Sequence, residues 1–304
     1  MSIDVYKLSK QFQGQTVVDQ LSFRVEKGQI LGFLGPNGAG KSTTMRMITG
    51  YLKPSQGDVY VCGYDMSKHP LQARRKLGYL PEHNPLYVSM YVHEYLRFMG
   101  SIHGLSNKKS MVRAQEVVSQ CGLTDMQNKK ISTLSKGYRQ RLGLAQALMH
   151  DPAVLIFDEP TTGLDPNQLA EIRMLIKALS QEKAVILSTH IMQEVEALCD
   201  RVVIINQGKL CIEATVKELA AQSEDQLILT FKEPVPLAAL KAIKGVRQVQ
   251  NLGDNQYKVS MRDKQGMHEA LFKFVQDHNL ALQRLEHKKG TLEEIFQQIT
   301  QPVV

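Results

Sequence analysis

The sequence of 304 residues lacks tryptophan, contains only four cysteines, and has no apolar run long enough for a membrane helix. Such a helix needs about 20 consecutive, mostly apolar residues. The first residues, MSIDVYKLSK, lead into an alternating pattern and not into the apolar centre of a signal peptide. We therefore expect a cytoplasmic chain that does not itself span a membrane.

The cysteines are Cys62, Cys121, Cys199 and Cys211, which lie far apart and form no CxxC pair. This spacing argues against a zinc site and against a redox motif. We expect four reduced cysteines in the protein core.

Composition places the chain among folded globular proteins, since it is 43% hydrophobic and 22% charged. Its length suffices for one large domain and one small domain. The formal net charge is +7, with the basic residues scattered along the chain. We interpret the excess as a solvated face, and a nucleic-acid surface is the alternative.

Short apolar runs alternate with longer amphipathic stretches up to about residue 222, which is typical of an α/β domain with buried strands. The clearest predicted strands cover residues 30–34, 153–158, 184–188 and 202–206. The predicted helices, each of which follows a turn, cover residues 41–50, 136–150, 166–181 and 191–199. Beyond residue 222 the pattern changes to βαββαβ with a final helix, which predicts a small ferredoxin-like α+β domain.

A glycine-rich segment, GPNGAGKS at residues 35–42, fits G-x-x-x-x-G-K-[ST] between a predicted strand and a predicted helix. Backbone N–H groups of such a turn can surround phosphates, and the helix N-terminus adds partial positive charge. A glycine-rich turn without a ligand is the alternative, but the flanking elements argue against it. The predicted nucleotide contacts are Gly35, Pro36, Asn37, Gly38, Ala39, Gly40, Lys41, Ser42 and Thr43, with Lys41 on the β and γ phosphates and Ser42 on Mg²⁺.

The second motif is acidic: the apolar run VLIF is followed directly by Asp158 and Glu159. Open α/β sheets place their ligands at the carboxyl ends of their strands. Asp158 is therefore predicted to hold Mg²⁺ through water, and Glu159 to polarise the attacking water. In isolation, two such acids could equally lie in a solvated loop.

The segment LSKGYRQR at residues 134–141 resembles the LSGGQ signature of ABC proteins, with Lys136 in place of a glycine and Tyr138 in place of the glutamine. We call it the signature segment. The resemblance implies that Ser135 and Gly137 contact the γ-phosphate of ATP bound to the opposite subunit. A helix cap without a ligand is the alternative for this segment.

Further positions of the ABC pattern follow in order along residues 5–213. Phe12 matches the aromatic residue that stacks on adenine, although an aromatic in a strand is more often a core residue. Asp165 matches the D-loop or caps a helix, and His190 matches the switch histidine. Glu82 stands where most ABC proteins have the Q-loop glutamine, which implies a position near Mg²⁺ that links the nucleotide to the permease. A solvated loop acid next to Pro81 is the alternative for Glu82.

The resemblance as a whole implies a P-loop ABC cassette over residues 1–222, with a mixed sheet core and a helical signature subdomain. Residues 223–304 are predicted to form an accessory domain with a regulatory or dimer-supporting role.

The cofactors implied by the resemblance are ATP and Mg²⁺, and the catalytic residues that it implies are Glu159, His190 and Lys41. THIMQEVEALCDRVVIINQGKL and TLEEIF are similar to the ABC-2-type exporter branch, which includes gliding-motility-type and multidrug-type export ATPases.

The expected partners are a second copy of the chain, bound head to tail, and an ABC-2-type permease that holds the subunit at the cytoplasmic face of the membrane. No nucleic-acid partner is expected. An importer ATPase with a regulatory C-terminal domain is one alternative function. A soluble ABC ATPase acting on nucleic acid or ribosomes is another, although the sequence has no tandem cassette, coiled-coil insertion or zinc module.

Overall fold

The computed structural model describes residues 3–221, 225–261, 267–289 and 291–300. Its contacts divide the chain into two compact units, Met1–Val216 and Lys217–Val304. A short helix, Val216–Ala221, begins at this division. The boundary that the sequence predicts near residue 222 lies at the C-terminal end of this helix.

The first unit combines two sheets with a helical segment. Its strands are β1 Ile3–Phe12, β2 Gln15–Val25, β3 Ile30–Leu34, β4 Gln56–Val61, β5 Tyr64–Asp65, β6 Leu77–Leu80, β7 Val154–Asp158, β8 Ala184–Thr189, β9 Arg201–Asn206 and β10 Lys209–Thr215. Its helices are α1 Lys41–Ile48, α2 Pro70–Arg75, α3 Val92–Ile102, α4 Asn107–Gln120, α5 Lys136–Leu148, α6 Pro166–Ser180 and α7 Met192–Leu198, followed by α8 Val216–Ala221 at the division.

The larger sheet has the strand order β10-β9-β3-β8-β7-β6, and its strands β6, β7, β8, β3 and β9 run parallel. Every residue of β3, β7 and β8 is buried, which explains why these strands read as continuous apolar runs in the sequence. Their registers pair Leu34 with Thr189, and Asp158 with Ser188. The segments that follow these three strands therefore meet at one edge of the sheet.

The second sheet is antiparallel, with the order β2-β1-β4-β5. One apolar cluster joins it to the larger sheet and includes Val5, Phe23, Phe33, Ile156 and Ile186. Burial of these side chains removes apolar surface from water and holds the two sheets together. The core thereby fixes the edge at which β3, β7 and β8 end.

A helical segment lies between β6 and β7, as the sequence predicts for a signature subdomain. Helix α3 contacts both α4 and α5. The serines Ser106 and Ser135 stand at the N-caps of α4 and α5, where their hydroxyl groups accept hydrogen bonds from backbone N–H groups. Helix α5 then leads back to the buried strand β7.

The second unit contains the strands β11 Asp225–Phe231, β12 Val246–Gly253, β13 Gln256–Met261 and β14 Leu282–Lys289 and the helices α9 Leu237–Lys241, α10 Met267–Asp277 and α11 Leu292–Thr300. Its strand order is β12-β13-β11-β14, and each neighbouring pair is antiparallel. This is the arrangement of a ferredoxin-like βαββαβ unit with one added helix. Leu240 of α9 and Leu271 of α10 belong to its apolar core.

The cysteines depart in part from the sequence-based expectation. Cys121 and Cys199 are buried and Cys62 is half-buried, but Cys211 is exposed on the strand β10, which lies at the edge of its sheet. The expectation of a core position for Cys211 is therefore wrong. Within the described ranges, no helix has the length and apolar character that a membrane crossing requires.

Candidate functional site

The glycine-rich turn joins β3 to α1. Gly38 and Gly40 have positive φ angles of 79° and 104°. A Cβ atom on Gly40 would lie 2.9 Å from the carbonyl oxygen of Val17, so a side chain there is excluded both by conformation and by space. The turn leads directly into the N-terminus of α1, where backbone N–H groups can bind phosphate.

Lys41 is the first residue of α1, and its side chain folds back over the turn. Its Nζ donates hydrogen bonds to the carbonyl oxygens of Gly35 (2.7 Å) and Pro36 (3.3 Å). Burial lowers the pKa of Lys41, against the opposing effect of the carboxylates of Glu159, Asp158 and Glu82. A triphosphate in this turn would give the Lys41 ammonium group a stronger anionic partner than two carbonyl oxygens.

Asp158 ends β7 and is 2% exposed. Burial raises its pKa, while hydrogen bonds from Ser188 and Ser42 act in the opposite direction. A desolvated carboxylate beside a serine hydroxyl fits a magnesium ion, which takes few protein ligands and completes its shell with water and phosphate oxygens. Accordingly, the described residues contain no group of three or more His, Cys, Asp or Glu side chains that could hold a metal by themselves.

Glu159 follows in a left-handed conformation, with a φ angle of 51°. A non-glycine residue rarely adopts this conformation unless its surroundings hold it there. Its backbone N–H donates to the Ser188 carbonyl oxygen at 3.1 Å. Its carboxylate lies 2.8 Å from His190 Nδ1 and accepts a hydrogen bond of 3.2 Å from Thr162 Oγ1. The Glu159 side chain is therefore fixed by two partners from different loops.

Lys41, Glu159 and His190 line one cavity of about 380 Å³, which we call the P-loop cavity. Asp158 lies just outside its wall and is connected to it by the hydrogen bond from Ser42. The cavity brings together the helix N-terminus, a lysine, two acids and a histidine, the set that phosphoryl transfer to water requires. The predicted site residues on its wall are Asn37, Gly38, Gly40, Lys41, Ser42, Thr43, Glu82, Glu159 and His190.

The signature segment lies elsewhere on the chain. Ser135 caps α5 by accepting a hydrogen bond of 3.4 Å from the Tyr138 backbone N–H. Gly137 is buried against α6, where a Cβ would lie 2.3 Å from Gln168 Oε1. Although both are described, neither Ser135 nor Gly137 lines the P-loop cavity. One chain thus carries the two motifs at separate places.

Asp165 and Phe12 also lie outside the wall of the P-loop cavity, judged over the described residues. Asp165 caps α6, and its Oδ1 accepts a hydrogen bond of 2.9 Å from the Gln168 backbone N–H. Phe12 is 44% exposed at the end of β1, with Lys10 Nζ 5.1 Å from the ring centroid. Phe12 is therefore not a core residue, and its contact with adenine stays a prediction.

Glu194 belongs to none of the motifs seen in the sequence and is fully buried on α7. One carboxylate oxygen accepts from the Thr189 hydroxyl at 2.8 Å, and the other accepts from the Thr161 hydroxyl. Glu194 thus links the loop after Glu159 to the strand before His190. Nothing in the sequence distinguishes it from the exposed Glu196 two residues later, since only the tertiary contacts do.

A family model described as "ABC transporter" matches residues 18–162. The linearmycin resistance ATP-binding protein LnrL of Bacillus subtilis is 35% identical over 299 residues, covering 96% of each chain. The Nod factor export ATP-binding protein I of Ralstonia nicotianae is 33% identical over 300 residues, covering 98% of this chain and 93% of that protein. A solved structure of the ATP-binding subunit of an ABC transporter superposes with a TM-score of 0.67 at 30% identity, covering 73% of this chain and 93% of the other.

Proposed function

This chain belongs to the ABC transporter family as an ATP-binding subunit that hydrolyses ATP, and from that premise we propose that it drives export through a separate ABC-2-type permease. Two of its relatives carry resistance or export in their names and align over nearly the whole chain, including the C-terminal unit. The export branch is further supported by Lys136 and Tyr138 in the signature segment and by Glu82 at the Q-loop position.

The residues in and beside the P-loop cavity have proposed roles in ATP hydrolysis. The backbone of the turn and the Lys41 ammonium group bind the phosphates. Ser42 and Asp158, with Glu82 nearby, hold Mg²⁺, which neutralises phosphate charge when bound. Glu159 accepts the proton of the attacking water, and His190, at 2.8 Å from its carboxylate, orients that carboxylate and contacts the γ-phosphate.

The active form is proposed to be a head-to-tail dimer. This proposal rests on the separation of the two motifs. Among the described residues, Ser135 and Gly137 do not line the P-loop cavity of the chain to which they belong. A second copy of the chain can supply them, and a symmetric pair then holds two composite sites. Loss of the γ-phosphate removes the anion that joins the two subunits, so hydrolysis resets the dimer.

Mixing two inactive variants tests the composite site. Lys41→Ala weakens phosphate binding by about 10- to 100-fold, the usual range for a lost charged hydrogen bond. Ser135→Arg blocks the signature segment. In a mixed dimer, one site carries both defects and the other carries neither, so mixing is expected to restore ATPase activity. Activity that stays at the level of the separate variants would contradict the head-to-tail arrangement.

Export is tested with the chain and its permease in inside-out membrane vesicles. ATP added outside these vesicles reaches the cytoplasmic face, so an exporter is expected to accumulate substrate inside them. Accumulation that instead occurs in right-side-out vesicles loaded with ATP would identify an importer. The Glu159→Gln subunit is the matched control, because it assembles with the permease but does not hydrolyse ATP.

A further inference from the structure

A second cavity lies in the C-terminal unit, on the sheet face opposite the apolar core. Side chains alternate between faces along a strand, so Leu227 and Leu229 enter the core while Gln226 points to the other face. Antiparallel pairing places Gln226 opposite Ser260, and Ser260 opposite Gln248. The neighbouring strands therefore present a row of hydrogen-bonding side chains.

Helix α11 supplies the remaining wall. Gln226 Nε2 donates to Glu294 at 2.5 Å, and Lys258 Nζ forms an ion pair with the same carboxylate. Burial raises the pKa of Glu294, but the hydrogen bonds from Lys258, the Thr291 backbone and Gln226 outweigh it, and the net shift is downward. The cavity has a volume of about 310 Å³. Its two charged residues neutralise each other at neutral pH.

Gln226 is the informative residue, since it is 95% buried, with an exposed fraction of 5%. Its Oε1 is buried and has no hydrogen-bond partner among the described residues. The amide cannot be turned over, because its nitrogen donates to Glu294 and an oxygen there would face a carboxylate. A buried acceptor without a donor is unfavourable, and the residue that carries it is part of the cavity wall.

We propose that this cavity binds a small, uncharged, hydroxyl-rich molecule of monosaccharide size. Its volume lies at the lower end of the range for ligand pockets, about 300–1,000 Å³. Glutamine amides present both donors and acceptors, and a hydroxyl group can satisfy either. An apolar ligand would leave these amides unsatisfied, and a charged ligand would have to break the pair between Lys258 and Glu294.

Saturation-transfer NMR on the full-length chain tests the proposal, with D-glucose and myo-inositol as probes. Glycine betaine and acetate serve as zwitterionic and anionic controls. We expect transfer to the two polyols and not to the controls. Gln226→Met, which keeps the size but removes the amide, is expected to weaken polyol binding about tenfold.

Two further variants keep the test decisive if thermal melting shows that Gln226→Met is poorly folded. Gln250→Ala removes an exposed side chain from the cavity wall and is also expected to weaken binding. Gln283→Ala removes an exposed glutamine of β14 outside the cavity and is expected to have no effect. The proposal is overturned if neither polyol receives saturation, if the charged controls bind in their place, or if Gln250→Ala binds the polyols as the parent does.

Discussion

The two units of this chain place hydrogen-bonding side chains at different positions relative to their sheets. In the N-terminal unit, β3, β7 and β8 are buried on both faces, so the reactive groups lie in the turns at their carboxyl ends. In the C-terminal unit, one face of the sheet is apolar and the other carries a polar cavity. Sheet topology therefore decides whether the hydrogen-bonding side chains lie at the ends of the strands or on a face of the sheet.

The largest expected effect in this comparison comes from the strand-end site. Glu159→Gln keeps the shape of the side chain but removes its ability to accept a proton, so hydrolysis is expected to fall about 10³-fold while ATP still binds. ATPase and nucleotide-binding assays on the same preparation measure both. Glu182→Gln, an exposed acid outside the site, is the control. Hydrolysis at the parent rate in Glu159→Gln would remove this residue from the mechanism.

A smaller effect is expected one contact away from the site. Glu194→Gln disturbs the link between Thr161 and Thr189, so the loops that present Glu159 and His190 lose their fixed positions. We expect kcat to fall about tenfold, with little change in ATP affinity. The exposed Glu196→Gln is the matched control.

Thermal melting separates this positioning role from a structural one. The buried Glu194→Gln change is expected to cost about 1–3 kcal/mol of unfolding free energy and to lower the Tm by several degrees. A lower Tm combined with the parent kcat would show that Glu194 stabilises the fold without positioning the site.

Glu82 is expected to have a still smaller effect on the isolated subunit. It is exposed on the wall of the P-loop cavity, so Glu82→Ala is expected to keep ATP binding and appreciable basal hydrolysis. Stimulation by the permease and transport are expected to be lost. Glu82→Gln retains a side chain that can accept from water and is expected to behave as the parent. Full permease stimulation in Glu82→Ala would show that this loop does not couple the two proteins.

The smallest effect is expected from removing the second unit. A chain that ends at residue 222 keeps the whole P-loop cavity and the apolar cluster that supports it. We expect its ATP affinity to stay within about twofold of the full-length chain, well below the tenfold change that 1.4 kcal/mol represents. Nucleotide titration of both proteins measures this. A truncated protein that folds but does not bind ATP would contradict the division into two units.

The two units also differ in how far the sequence predicts them. The predicted strand at residues 30–34 coincides with β3, and the other predicted strands and helices named for the first domain differ by one or two residues at their ends. The strand-end site could be predicted because Lys41, Ser42, Asp158 and Glu159 lie in contiguous motifs beside apolar runs. The residues that bind and the apolar run that positions them are neighbours in the sequence.

The polar cavity could not be predicted in this way. Gln226, Ser260 and Glu294 are separated by more than 30 residues at each step and form no motif. Their proximity depends on strand register and on the position of α11. The same reason applies to Glu194, whose hydrogen bonds come from threonines that belong to two other segments.

We propose that one chain holds two separate halves of the ATP site and that a second copy completes it. Size-exclusion chromatography with light scattering on the Glu159→Gln chain measures this directly, because unhydrolysed ATP is expected to hold the two copies together. We expect a dimer with ATP and Mg²⁺, and a monomer without nucleotide or with Ser135→Arg added. A Glu159→Gln protein that binds ATP but stays monomeric at every concentration, or a dimer that survives Ser135→Arg, would contradict it.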